Sequence, residues 1–354
     1  MPTLHPARLG LAIAIALLSA GAALTGAEAK PRPPTTINPP PPPTPPTPGV
    51  GLAGTFVRDA AAYEDYVHAA AAMSPDFTSV ADVDGSLRTA ASFEPGQLRH
   101  GAVAYAAIEA LDDAAFVAEV RRATPTPQAR YALVARIYAN PANALDFPDA
   151  AGAAGLAKAA LADGGMHLFA QGNAVISESY SMQHQAWTQA FAPDRDGRVN
   201  MVRNTSAQQR IPSSDELGAL EREMVTGPTT PPPAPADAPF SPLVVRAVAL
   251  AALAAAGQAG DQQAPNLGWL TDDYFMDHCL SQSKLATYEC LAVARPSYEN
   301  AFCLGQYALK DTGTCVVRAA GSAVPLEITV FPPPHIPPAH LAPHRPTTTT
   351  HRRR

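Results

Sequence analysis

The chain reads as all-α: a multi-helix, alanine-rich body, then a smaller antiparallel helical hairpin stapled by disulfides, with proline-rich segments around them. Three observations lead there. Apolar residues recur at three- and four-residue steps, no comparable run alternates with the period of a strand, and 24 of the 38 prolines fall in three short segments.

The first of the elements, residues 1–29, carries Arg8, the apolar run LGLAIAIALLSAGAAL and the small-residue pattern Ala27-Glu28-Ala29 before Lys30. That is the build of a secretory signal peptide, and about 16 apolar residues fall short of the roughly 20 that span a bilayer. The protein is therefore expected to be exported, periplasmic or extracellular, with a mature chain starting at Lys30. No transmembrane segment is expected after signal removal, because the nearest candidate, VVRAVALAALAAAG (Val244 to Gly257), is short and carries Arg246. Residues 30–49, with eleven prolines between 31 and 48, read as a disordered, extended spacer.

Residues 50–226 form the helical body. Phe56, Tyr63, Val67, Ala70 and Met73 share a helical stripe, as do Val103, Ala107, Ile108 and Leu111, and Tyr131, Val134, Ile137 and Tyr138. Ser74-Pro75 and Glu94-Pro95 mark breaks with new helix starts, and Thr124-Pro125 and Asn140-Pro141 mark further boundaries. Alanine favours helix but buries little area, so segments such as AAGAAGLAKAALA (Ala150 to Ala162) call for thin helices packed closely.

A second proline segment, residues 227–241, is a linker to a helical module at 242–321. Within it, Thr271 to Ala294 reads as one helix broken at Arg295-Pro296, and Ser297 as the N-cap of a second. A turn this short makes the two helices antiparallel neighbours. Cys279 and Cys290 lie about 16 Å apart along one helix, beyond the roughly 7 Å that a disulfide allows between Cα atoms. The height match across the hairpin then selects the nested pairs, Cys290 with Cys303 and Cys279 with Cys315. Cys279 and Cys290 share a face, whereas Cys303 and Cys315, twelve residues apart, stand about 120° out of phase, which calls for a bend or unwinding near Gly313. The layout resembles the twin-cysteine helical hairpins of small mitochondrial proteins, in arrangement alone. Export favours a staple over thiol chemistry, and no closely spaced cysteine pair provides a redox or zinc motif.

Residues 322–354 form a disordered tail rich in His, Pro and Arg. From Phe331 onward it has no acidic residue and four arginines; with −6 for the whole chain and +4 here, the remainder sums to −10. A mildly acidic body argues against a nucleic-acid partner. The tail, with His335, His340, His344 and His351, is suited to weak contact with an anionic surface.

Several motifs resemble chemistry. Ser281-Gln282-Ser283-Lys284 has the S-x-x-K form of penicillin-binding enzymes without their companion elements. In the polar helix Gly172 to Trp187, Glu178-Ser179 matches a dipeptide of lytic transglycosylases, and Ser177, Ser181 and His184 share a face. Asp82 to Gly85 and Asp194 to Gly197 lack the acidic ligands of a calcium loop and read as turns. Neither a cofactor nor a metal site is expected. The function expected is that of an exported, non-catalytic protein that scaffolds or binds an unknown protein or envelope component. The alternative is an envelope hydrolase using Glu178, Ser181 or His184.

Overall fold

A computed structural model describes residues 51–226 and 238–325. The segment expected to be a signal peptide, the proline-rich segment after it, most of the second proline-rich segment and the basic C-terminal segment lie outside the described residues. In chain order the helices are α1 (Gly54–Ala71), α2 (Val80–Ala90), α3 (Pro95–Leu111), α4 (Ala114–Ala123), α5 (Pro127–Ala139), α6 (Ala150–Met182) and α7 (Ala186–Gln189). There follow α8 (Arg195–Ser206), α9 (Ser214–Thr226), α10 (Pro242–Ala255), α11 (Tyr274–Val293), α12 (Ser297–Cys303) and α13 (Thr312–Ala319). A π-helical segment, Leu304–Asp311, joins the last two. The described residues are all-α, with two isolated bridges, Leu52 with Ala259 and Phe191 with Pro296.

Side-chain caps place many of the helix starts. Glu94 accepts the amides of Gly96 and Gln97 ahead of Pro95, Ser241 accepts Val244 N–H ahead of Pro242, and Thr126 accepts Ala129 N–H ahead of Pro127. Each satisfies amides that a first turn leaves without partners. Caps also correct several sequence expectations. After Ser74-Pro75 the next helix waits for Ser79, which accepts Asp82 N–H, so Asp82 to Gly85 is helix and not a turn. Asp194 is likewise an N-cap, accepting Gly197 N–H in a left-handed conformation. The long cysteine helix starts at Tyr274 because Asp273 caps Met276, and its partner is preceded by Pro296, with Ser297 already inside. The Ala150 and Gly172 segments are one helix, ending at Met182 before Trp187.

The proline linker divides the sequence but not the core. α10 is buried along nearly its whole length and packs on α3, α6 and the Pro141–Asp146 turn. A helix apolar on every side belongs inside a protein, and this is the segment that came nearest to a membrane span. Its one charge, Arg246, donates to the carbonyl of Trp269 at 2.8 Å. No helix among the described residues is long and apolar enough to cross a membrane. Tyr63, Tyr66, Leu87, Ile108, Leu161 and Leu250 are fully buried in the common core.

α6 and the segment from Leu304 to Ala319 run antiparallel at backbone contact. A Cβ on Gly313 would stand 2.5 Å from the Gly165 carbonyl oxygen, and one on Gly305 would stand 2.8 Å from that of Gly172. Glycines therefore let the two helices meet without side chains between them, the extreme of the close packing that an alanine-rich chain requires.

Candidate functional site

The polar stretch on α6 runs along the surface at the end of that helix. Ser177, Ser181 and His184 are exposed, Glu178 is half-buried, and the Ser181 hydroxyl donates to the Ser177 carbonyl at 3.2 Å. His184 lies past the helix end. Among the described residues, no hydrogen bond links Glu178, Ser181 and His184. In the S-x-x-K stretch, Ser281 faces solvent while Lys284 is buried against another helix end. The two side chains do not meet.

The cysteines pair as the height match requires. Cys279 bonds Cys315 with Cα atoms 5.6 Å apart, Cys290 bonds Cys303 at 5.7 Å, and no free cysteine remains. The phase problem is solved not at Gly313 but by the π-helical segment. Bonds reaching five residues advance each residue by only about 80°, so eight such residues bring Cys315 back to the face of Cys303. Gly313 serves the contact with α6 instead.

A group of carboxyls lies where α9 crosses α1 and α3. One trio, Glu64, His68 and Glu216, and another, Glu109, Asp112 and Glu223, each bring their ligand atoms within 4.8 Å of one another. Burial, then the charge of Glu216 and a hydrogen bond with it, push Glu64 up to about 7. Burial and the charge of Glu223 push Glu109 up to about 7, and the same two causes push Asp112 up to about 6. Burial also raises Glu223, whose contact with Asp112 works the other way, as for a proton on Asp112 donated to Glu223. The Tyr105 hydroxyl sits between Glu64 and Glu109, raised by burial and by Glu109. His68 Nδ1 stands 3.2 Å from Glu216. Such a group holds protons near neutrality, and its oxygens are the donor type that hard cations take. The sequence gives no warning of it: five carboxyls spread from 64 to 223 carry no motif, and their hints are the i, i+4 spacing of Glu64 and His68 and the i, i+3 spacing of Glu109 and Asp112.

Two further features stand apart from it. Lys284 Nζ lies 3.6 Å over the Phe93 ring and donates to the Ala91 carbonyl at 3.2 Å, beside a small cavity lined by Ser206, Ser283, Thr287 and Thr312. At the start of α11, Tyr274 and Phe275 are each 74% exposed; their rings meet edge to face at 5.8 Å, and His278 stacks on Tyr274 at 6.0 Å. Compared with known proteins, the chain matches no family model, no curated protein and no solved structure.

Proposed function

We propose that the protein is exported and acts by binding or scaffolding a protein or envelope component, not by catalysis. The observation that carries the export part of this reading is the pair of closed disulfides holding the C-terminal hairpin, since such bonds persist in oxidising compartments. The leader at residues 1–29 supplies the route. Ser181 and His184 are exposed and the Ser181 hydroxyl donates to the Ser177 carbonyl, which leaves the hydrolase alternative without a hydrogen-bonded nucleophile and base among the described residues. The test is to express the full chain with its leader in an exporting host. Processing before Lys30 and absence of free thiols in the exported product are expected. Recovery of the unprocessed chain with reduced cysteines inside the cell contradicts export. Hydrolysis of a cell-envelope preparation by the purified exported chain, lost in Glu178→Gln or His184→Ala at unchanged Tm, contradicts the binding role.

A further inference from the structure

The aromatic group at the start of α11 is flanked by carboxyls. Arg99 pairs with both Asp272, at 2.8 Å, and Asp277, at 3.3 Å, so two carboxylates answer to one guanidinium, and His100 also reaches Asp272. Asp272 and Asp277 side chains remain 59% and 40% exposed. We propose that this aromatic and acidic patch is the docking site of the chain's own proline-rich basic tail, residues 332–346.

Position supports it first. Cys315 is bonded to Cys279, the neighbour of His278, and α13 runs antiparallel to α11. Four residues beyond Cys315, the helix end at Ala319 therefore stands level with Phe275. Ser322 still donates its amide to the Val317 carbonyl at 3.0 Å, so the chain leaves the helix at the height of the patch along α11. From Pro325, the last described residue, nine residues to Pro334 span up to roughly 28 Å when extended.

Chemistry supports it second. Exposed aromatic side chains recognise extended proline segments, whose rings pack on them with little ordering entropy to lose. The tail offers two P-x-x-P stretches, Pro334-His335-Ile336-Pro337 and Pro343-His344-Arg345-Pro346. Arg345 supplies the cation for the excess carboxylate, and no acidic residue opposes it between 331 and 354. A weak contact suffices, because a short tether holds the tail at an effective concentration of about millimolar.

The test uses the full chain with p-benzoylphenylalanine in place of Tyr274, irradiated and mapped by mass spectrometry. Expected are cross-links to residues 332–346 in a product of monomer mass, falling about fivefold or more in P334A/P337A as the docked proline contacts are lost. A second measurement leaves Tyr274 in place. In the full chain carrying Phe275→Ala, chymotryptic cleavage at Leu341-Ala342 should be about fivefold faster than in the unaltered chain. Both side chains are exposed, so far-ultraviolet circular dichroism and Tm should not change. The proposal is overturned by cross-links that miss the tail together with equal cleavage rates. Tail cross-links found only in a product of doubled mass also overturn it, placing a second copy on the patch. So does sedimentation of the tail with anionic vesicles while cross-linking and cleavage show no docking.

Discussion

Lys284 places its amine where the C-terminal carbonyl of α2 ends, over the face of Phe93. Burial pushes it down to about 7, against the pull of Glu94. Its pKa is thus below the unfolded value of 10.5, so its contribution is complete above pH 10.5 and lost as pH falls through 7. Lys284→Met should stabilise by about 1 to 3 kcal/mol at pH 6, since Ser206 still donates to the Ala91 carbonyl, with the gain shrinking toward pH 10. Urea unfolding at both pH values measures it; equal effects at the two would show that the charge is not what the mutation removes. The carboxyl group has the opposite sign. Glu64, Glu109 and Asp112 are raised, so their contribution is complete below about pH 4 and lost as pH climbs through 6 to 7. Glu109→Gln should therefore flatten the fall in stability between pH 4.5 and 7.5, read from Tm across that range. Neither environment can be seen along the chain. A lysine between Ser283 and Leu285 and five scattered carboxyls look like solvated residues until Phe93, Ala91 and α9 arrive from far away in sequence.

Element by element, the glycines of α6 and the hairpin give a sharp contrast. Gly313→Ala forces a methyl against the Gly165 carbonyl and the Phe169 amide, with distances of 2.5 and 2.6 Å to relieve. It should destabilise by about 2 to 3 kcal/mol. Gly85, inside α2, has nothing within 4 Å of a new Cβ, and Gly85→Ala should stabilise by about 0.5 to 1 kcal/mol through helix propensity. Equal effects in chemical unfolding would dismiss the close-contact account of Gly313. The disulfides differ by loop length: the separations are 36 residues for Cys279 to Cys315 and 13 for Cys290 to Cys303. Chain entropy assigns about 4 and about 3 kcal/mol, so the double serine variant of the outer pair should lose more stability than that of the inner pair. Helix starts at Pro95 and Pro242 follow local rules, since caps and prolines act within four residues. The π-helical segment does not, because backbone contact with Gly172 and the cysteine geometry select it from outside the segment.

For the whole molecule, the linker makes a prediction of its own. α10 fills a core shared with α1, α3 and α6, so the residues on either side of the linker complete one another. With a protease site inserted between Pro231 and Asp237, the cleaved pieces should still co-elute in native buffer and part in urea. Separation without denaturant would mean that each side folds alone. Order along the chain was enough to settle the all-α class, many of the helix boundaries and the pairing of four cysteines, because periodicity, capping and helical rise are local and additive. It did not settle where α10 goes, how the glycines of α6 meet Gly305 and Gly313, or that carboxyls from three helices come together in one group. Those depend on which surfaces face one another, and a small, uniform side chain such as alanine leaves almost no mark in sequence of the neighbour it will touch.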